Sequence, residues 1–113
     1  MRYTQLVFSP TGGVRKAAGM LSSAIADRFE TIDLSLTLNG QKSAAFDSED
    51  VCLIAVPSFG GRVPEIALTR LAQMNGGGAR AILVCVYGNR DGGGSLFELR
   101  DASRKAGYCP IAA

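Results

Sequence analysis

Histidine is absent from this chain of 113 residues, which removes the commonest general base and metal ligand. Cysteine is scarce, since Cys52, Cys85 and Cys109 have neither metal-ligand spacing nor a CxxC pair. A net charge of +2, scattered along the chain, is too small to indicate a nucleic-acid partner. No apolar run is long enough to cross a membrane, and the first residues lack the apolar core of a signal peptide. We therefore expect neither nucleic acid nor membrane as a partner.

Apolar residues make up 47% of the sequence and charged residues 19%, which is typical of a well-packed globular chain. The length fits one hydrophobic core, so residues 1–113 are interpreted as a single domain. Cys52 and Cys85 lie inside apolar runs. Buried free thiols of this kind indicate a reducing, cytoplasmic location.

Strand-like and helix-like segments alternate along the chain. The pattern predicts strands over 3–8, 30–34, 51–56, 81–86 and 108–113. Helices are predicted from Gly13 or Val14 to about Phe29, from Pro64 to the stop at 75–78, and from about Leu96 to Gly107. Alternation of this kind predicts an α/β fold with a parallel sheet. The runs over 51–56 and 81–86 are apolar without a break, so helices are expected on both faces, as in a doubly wound sheet.

Each predicted helix carries an apolar stripe that should face the sheet. The stripes comprise Val14, Ala17, Ala18, Leu21, Ile25 and Phe29 in the first helix, Ile66, Ala67, Leu71 and Met74 in the second, and Leu96, Leu99, Ala102 and Ala106 in the third. Ser95 and Glu98 have the spacing of a capping box at the start of the third helix.

The turn between the first strand and the first helix has the composition of an anion site. Ser9 and Thr11 offer hydroxyl donors, and Gly12 and Gly13 allow the backbone to approach an anion closely. Unpaired amides and the helix dipole also favour negative charge there. Ordinary N-capping by a serine or threonine remains an alternative for this turn.

Ligands of open parallel sheets lie at the carboxyl ends of the strands. Two further loops are expected at that edge, 57–62 with Phe59 and 87–91 with Tyr87. Two aromatics beside an anion cradle suit a phosphate-bearing ligand with a flat ring. Alternatively, Phe59 packs against the second helix and Tyr87 belongs to the edge of the core.

The segment Ser9-Pro10-Thr11-Gly12-Gly13-Val14 resembles the S-x-T-G-x-T phosphate loop of the flavodoxin family. The likeness is nearest to the flavodoxin-like domain that some anaerobes carry fused to a ferredoxin module. It covers the whole chain but stops short of that family's last helix. It implies strand order 2-1-3-4-5, FMN as cofactor and electron transfer between redox partners as function.

The same resemblance assigns roles to residues. Ser9, Thr11, Gly12, Gly13 and the amide of Val14 would hold the FMN phosphate. Phe59 and Tyr87 would flank the ring, and backbone groups of Ser58, Gly60, Gly61, Gly88 and Asn89 would meet its polar edge, with Gly60 or Gly61 beside N5. The redox chemistry would belong to the cofactor, and an iron–sulfur partner would lie outside this chain.

The sequence departs from the family pattern in places. Val14 stands where the motif has a hydroxyl, and Arg15 or Lys16 would compensate. Arg62 and Arg90 at the rim would favour an anionic reduced ring. Two other functions stay open: an FMN-dependent quinone or nitro reductase, and a flavin-free fold that serves as a structural or binding module.

The sequence also predicts an uncovered apolar face. A last strand ending in Ile111-Ala112-Ala113 normally leads to another helix beside the first, and none follows in the sequence. The run Gly92-Gly93-Gly94-Ser95 resembles an engineered linker, so we expect one edited or shortened part of a longer protein. An uncovered face favours a dimer or a domain swap.

Overall fold

The computed structural model describes residues 3–9, 12–34, 46–58, 62–87 and 95–112. Five strands and three helices alternate within these ranges. In chain order they are β1 (Tyr3–Val7), α1 (Gly13–Ile25), β2 (Glu30–Asp33), β3 (Val51–Ser58), α2 (Glu65–Ala72), β4 (Arg80–Tyr87), α3 (Ser95–Lys105) and β5 (Cys109–Ala112). The strands form one parallel sheet in the order β2-β1-β3-β4-β5. This confirms the predicted flavodoxin-like order, and no helix follows β5 among the described residues.

The side chains of the central strands alternate between two apolar layers. Cys52, Ile54 and Val56 of β3 pack with α2 and α3, whereas Leu53 and Ala55 pack beneath α1. All of these residues are buried. Burial of both faces explains why β3 reads as a continuous apolar run rather than an alternating one.

Three hydrogen-bonded polar side chains, Tyr3, Gln5 and Ser22, form a polar seam beneath α1. Because of this seam, the side of α1 that faces the sheet differs from the predicted one. The buried Ser22 hydroxyl donates to the Gln5 Oε1 atom at 2.9 Å and lies 3.3 Å from the Tyr3 hydroxyl oxygen. Val14, Ala18 and Ser22 are the buried residues of α1. Because Ser22 takes the inward position, the expected stripe is wrong at Leu21 and Ile25, which are exposed.

Three other expectations about the elements are corrected. The first helix ends at Ile25 rather than Phe29, whose ring instead packs edge-on against Tyr3 at 6.2 Å between centroids. Ile66, expected to point inward, is exposed in the first turn of α2. Strands β3 and β4 extend to Ser58 and Tyr87, past the predicted ends at positions 56 and 86.

The glycine run after α2 does more than end that helix, which stops at Ala72. The amides of Gly76 and Gly78 donate to the Ala106 and Gly107 carbonyl oxygens at 2.8 and 2.7 Å. A Cβ on Gly76 would lie 2.5 Å from the Tyr108 amide nitrogen. The turn therefore holds the end of α3 against the amino edge of the sheet and positions β5.

Candidate functional site

The direction in which strands are added to the sheet reverses at β1. β2 lies on one side of β1, and the next strand in the chain, β3, lies on the other side. Such a reversal point is where open parallel sheets bind ligands. The Phe8 amide still pairs with the Ala55 carbonyl at 3.0 Å, so Ser9 leaves the sheet beside the last residues of β3.

Gly12 gives the turn before α1 its shape. It is the N-cap of α1 with φ +92° and ψ −17°, a left-handed conformation that L residues other than glycine adopt only at a cost. A Cβ at Gly12 or at Gly13 would meet no atom within 4 Å among the described residues. Among the described residues, nothing contacts the side of these two glycines on which a side chain would stand, and the first amides of α1 lie next to them.

Ser9 contacts the first turn of α1. Its hydroxyl oxygen accepts a hydrogen bond from the Arg15 amide at 3.0 Å. The N-cap position itself is Gly12 and has no side-chain cap bond, so the alternative of ordinary N-capping by a serine or threonine is not confirmed there, although Ser9 accepts from an amide of the first turn. A hydroxyl that accepts one bond still has a proton to donate, so the same group can serve a bound anion.

Val14, which replaces the hydroxyl of the phosphate motif, is a core residue. Its side chain is buried with Tyr3, Val7, Ala18 and Leu53. Only its backbone amide is suited to contact an anion. The missing hydroxyl therefore removes a donor from the loop but adds apolar packing under α1.

Arg15 and Asp33 form an ion pair across the edge of the sheet. The guanidinium lies 3.6 Å from the Asp33 carboxylate, which ends β2. Arg15 thus offsets a negative charge next to the turn, and Lys16 is an exposed cation in the same helical turn. The expectation that these cations compensate for the missing hydroxyl stays a prediction.

Glu98 holds the segment that enters α2, a role that sequence reasoning missed. One carboxylate oxygen accepts a hydrogen bond from the Val63 amide at 3.2 Å, and the other pairs with the Arg62 guanidinium at 3.1 Å. The capping-box spacing pointed to Glu98 as a partner of Ser95, and that contact stays a prediction. It could not reveal a partner 35 residues away on another element.

Cys85 lies on the α2–α3 side of β4, half-buried beside this cluster. Burial and, secondarily, the Glu98 charge raise the pKa of the Cys85 thiol to about 11. The thiol is therefore protonated and unreactive at neutral pH. The expectation of full burial is confirmed for Cys52 only, and Cys109 is exposed.

Strands β3 and β4 end in register, with Ser58 opposite Tyr87. The structure thus brings Ser9, Gly12, Gly13, Ser58 and the Tyr87 backbone to one edge of the sheet. The remaining predicted site residues lie outside the described residues: Thr11, Phe59, Gly60, Gly61, Gly88 and Asn89. Arg90 and the Tyr87 side chain also lie outside them.

Two wider features of the described residues bear on function. None of their helices is long and apolar enough to cross a membrane. They contain no group of three or more cysteine, aspartate or glutamate side chains placed to hold a metal ion. In comparisons with known proteins, the chain matches no family model and no curated protein.

Proposed function

We propose that this chain is an FMN-binding electron-transfer domain. The observation that carries the proposal is the turn between β1 and α1. It combines a left-handed Gly12, the Ser9 hydroxyl and a helix N-terminus at which no described residue crowds Gly12 or Gly13. It lies at the reversal point of a parallel sheet with strand order 2-1-3-4-5.

These residues fit a phosphate monoester such as that of FMN. The amides of Gly12, Gly13 and Val14 and the hydroxyls of Ser9 and Thr11 would hold the phosphate, supported by the helix dipole. The ring would extend along the ends of β3 and β4, where Phe59 and Tyr87 would flank it. Backbone groups of Ser58, Gly60, Gly61, Gly88 and Asn89 would meet its polar edge.

Bound FMN would supply the one- and two-electron chemistry, and the protein would tune its potential through stacking and charge. Arg62 is paired with Glu98 at the entrance to α2, so its charge near a reduced ring would be partly neutralised. A redox protein or a ferredoxin module is the partner that this role requires. Two alternatives remain. Steady turnover of NAD(P)H with a quinone would indicate a reductase, and the absence of flavin absorbance would indicate a flavin-free module.

Replacing Ser9 with aspartate tests the phosphate site. Aspartate is a good capping acceptor for the Arg15 amide, so the S9D variant should fold with at least wild-type stability. Its charge beside the phosphate should weaken FMN binding at least about a hundredfold. Binding is measured by the loss of flavin fluorescence on titration, and stability by urea unfolding.

Ser48→Asp is the matched control, because Ser48 is exposed and lies in the turn before β3, at the opposite edge of the sheet. It should bind FMN as the wild type does. Equal affinity in S9D and S48D would contradict the phosphate assignment. A wild-type chain that binds no FMN would contradict the function itself.

A further inference from the structure

The α1 side of the sheet is covered unevenly. Leu53 and Ala55 of β3 are completely buried there, whereas Ile82, Val84 and Val86 of β4 are only partly buried. A parallel sheet is normally covered on both faces. Apolar surface on β4 is therefore left accessible on this side.

The flank of α1 next to β4 is also apolar and accessible. Arg15 of α1 pairs with Asp33 of β2, so the side of α1 that carries Arg15 faces β2. At 3.6 residues per turn, Leu21 lies on the opposite flank, towards β4. Leu21 is 44% exposed and Ile25 is 53% exposed. We call Leu21, Ile25, Ile82, Val84 and Val86 the apolar strip.

The part of the sheet beside α1, from β4 to the edge strand β5, has the width of one helix. Neighbouring strands lie about 4.8 Å apart, so β4 and β5 together span about the 8–10 Å that separates two packed helices. A helix placed there would lie alongside α1 and cover both strands.

The geometry points to α1 of a second copy of this chain as that helix. A twofold axis parallel to the strands, at the level of α1, brings the two copies together with their sheets outermost. Each α1 then covers its own β1 and β3 from one side and the partner's β4 and β5 from the other. A single twofold rotation therefore covers the apolar strip of each copy with α1 of the other, as closed twofold symmetry requires.

Met20 on the outer face of α1 supports this arrangement, and the exposed Lys16 lies on the same face one turn nearer the carboxyl edge of the sheet. Met20 points away from its own sheet and is 70% exposed, and Ala24 is exposed on the same side. Methionine adapts to irregular apolar surfaces. In the pair, Met20 lies on the partner's β4 instead of in water.

Charge at the ends of α1 is complementary. A twofold axis parallel to the strands preserves the direction of α1, so its carboxyl end arrives at the amino end of the partner's β4. Asp27 follows α1, and Arg80 begins β4 on the α1 face, next in the sheet to Val51. Both residues are exposed, and the pair brings opposite charges together.

Measurement of molar mass by light scattering after size exclusion tests the pairing, and needs no flavin. The wild type should show about twice the 11.8 kDa of one chain. Leu21→Lys, which places a charge beside the axis, should give monomers with an unchanged circular dichroism spectrum. Ile66→Lys is the matched control on the exposed side of α2, where Ile66 is 55% exposed, and should remain dimeric.

Disulfide trapping gives a second readout. In a Cys109→Ser background, Leu21→Cys should form covalent dimers under mild oxidation, because Leu21 meets its counterpart near the axis. Ile66→Cys should not. Reversal of one charge, Arg80→Glu or Asp27→Arg, should weaken dimerisation about twofold to fivefold, and the two reversals together should restore it.

A wild-type chain that stays monomeric at every concentration would overturn the proposal, and would leave the apolar strip to a helix of another polypeptide. A dimer unaffected by Leu21→Lys would overturn it equally. Because FMN binding is measured separately, failure of the dimer and failure of the proposed function are distinguishable.

Discussion

Single residues in the β1–α1 turn have two roles each. Ser9 accepts a hydrogen bond from the first turn of α1, and in the proposed site its hydroxyl would also donate to the phosphate. Val14 packs in the core with its side chain while its amide faces the helix N-terminus. The residue types predicted the turn and the inward position of Val14, because these depend on neighbours in sequence. They did not predict that Ser9 accepts from the Arg15 amide, or that Val14 packs with Leu53 of a distant strand.

Gly12 and Gly13 form a matched pair for testing backbone conformation. A Cβ meets no described atom within 4 Å at either position, but only Gly12 has positive φ. Gly12→Ala should therefore lower the free energy of unfolding by about 1–2 kcal/mol. Gly13→Ala should be neutral or stabilising by up to about 1 kcal/mol. Urea unfolding measures both, and equal effects would contradict the left-handed assignment at Gly12.

At the scale of elements, periodicity located each helix and most of the inward residues of α2 and α3, but it misplaced the inward side of α1. The stripe of α1 included Leu21 and omitted Ser22, since hydrophobicity alone ranks leucine first. Ser22 is inward because Gln5 and Tyr3 provide hydrogen-bond partners in the sheet. Burial of these polar side chains costs little free energy only when each of them has a hydrogen-bond partner. No local sequence pattern shows whether such partners are present.

Glu98 connects α3 to the start of α2, and the contribution of each of its contacts can be measured. Glu98→Ala leaves the Val63 amide without its acceptor and should lower the free energy of unfolding by about 1–2 kcal/mol. Arg62→Ala removes only an ion pair whose arginine side chain is 78% exposed, and should cost less than about 1 kcal/mol. Glu98→Gln keeps an acceptor for the Val63 amide, so its loss in the free energy of unfolding should lie between those of the two alanine variants. A larger loss in Arg62→Ala than in Glu98→Ala would contradict this order.

At the scale of the whole molecule, stability should depend on pH in the alkaline range. Burial raises the pKa of Cys85 from 9.0 to about 11 and also raises that of Tyr108. A raised folded pKa means that the folded state keeps its proton longer. The contribution of these groups to the free energy of unfolding is therefore fully present below their pKa in the unfolded state. It is lost as the pH rises through their pKa in the folded state.

The urea midpoint should therefore fall between about pH 9 and pH 11, and Cys85→Ala should reduce that fall. Cys109→Ala is the control, because Cys109 is exposed. The same pH dependence in the wild type and in Cys85→Ala would show that Cys85 does not contribute to it.

The sequence by itself determined the alternation of strands and helices, the burial of β3 on both faces, the uncovered apolar face beside α1 and the glycine-bearing turn before α1. These follow from local periodicity, backbone preference and capping, which act within a few residues. Only the tertiary structure decided that Ser22 lies inward and Leu21 outward, and that Glu98 holds the entrance to α2. Each of these depends on a partner that is distant in the chain, because the residues that become buried are determined by the packing of one element against another.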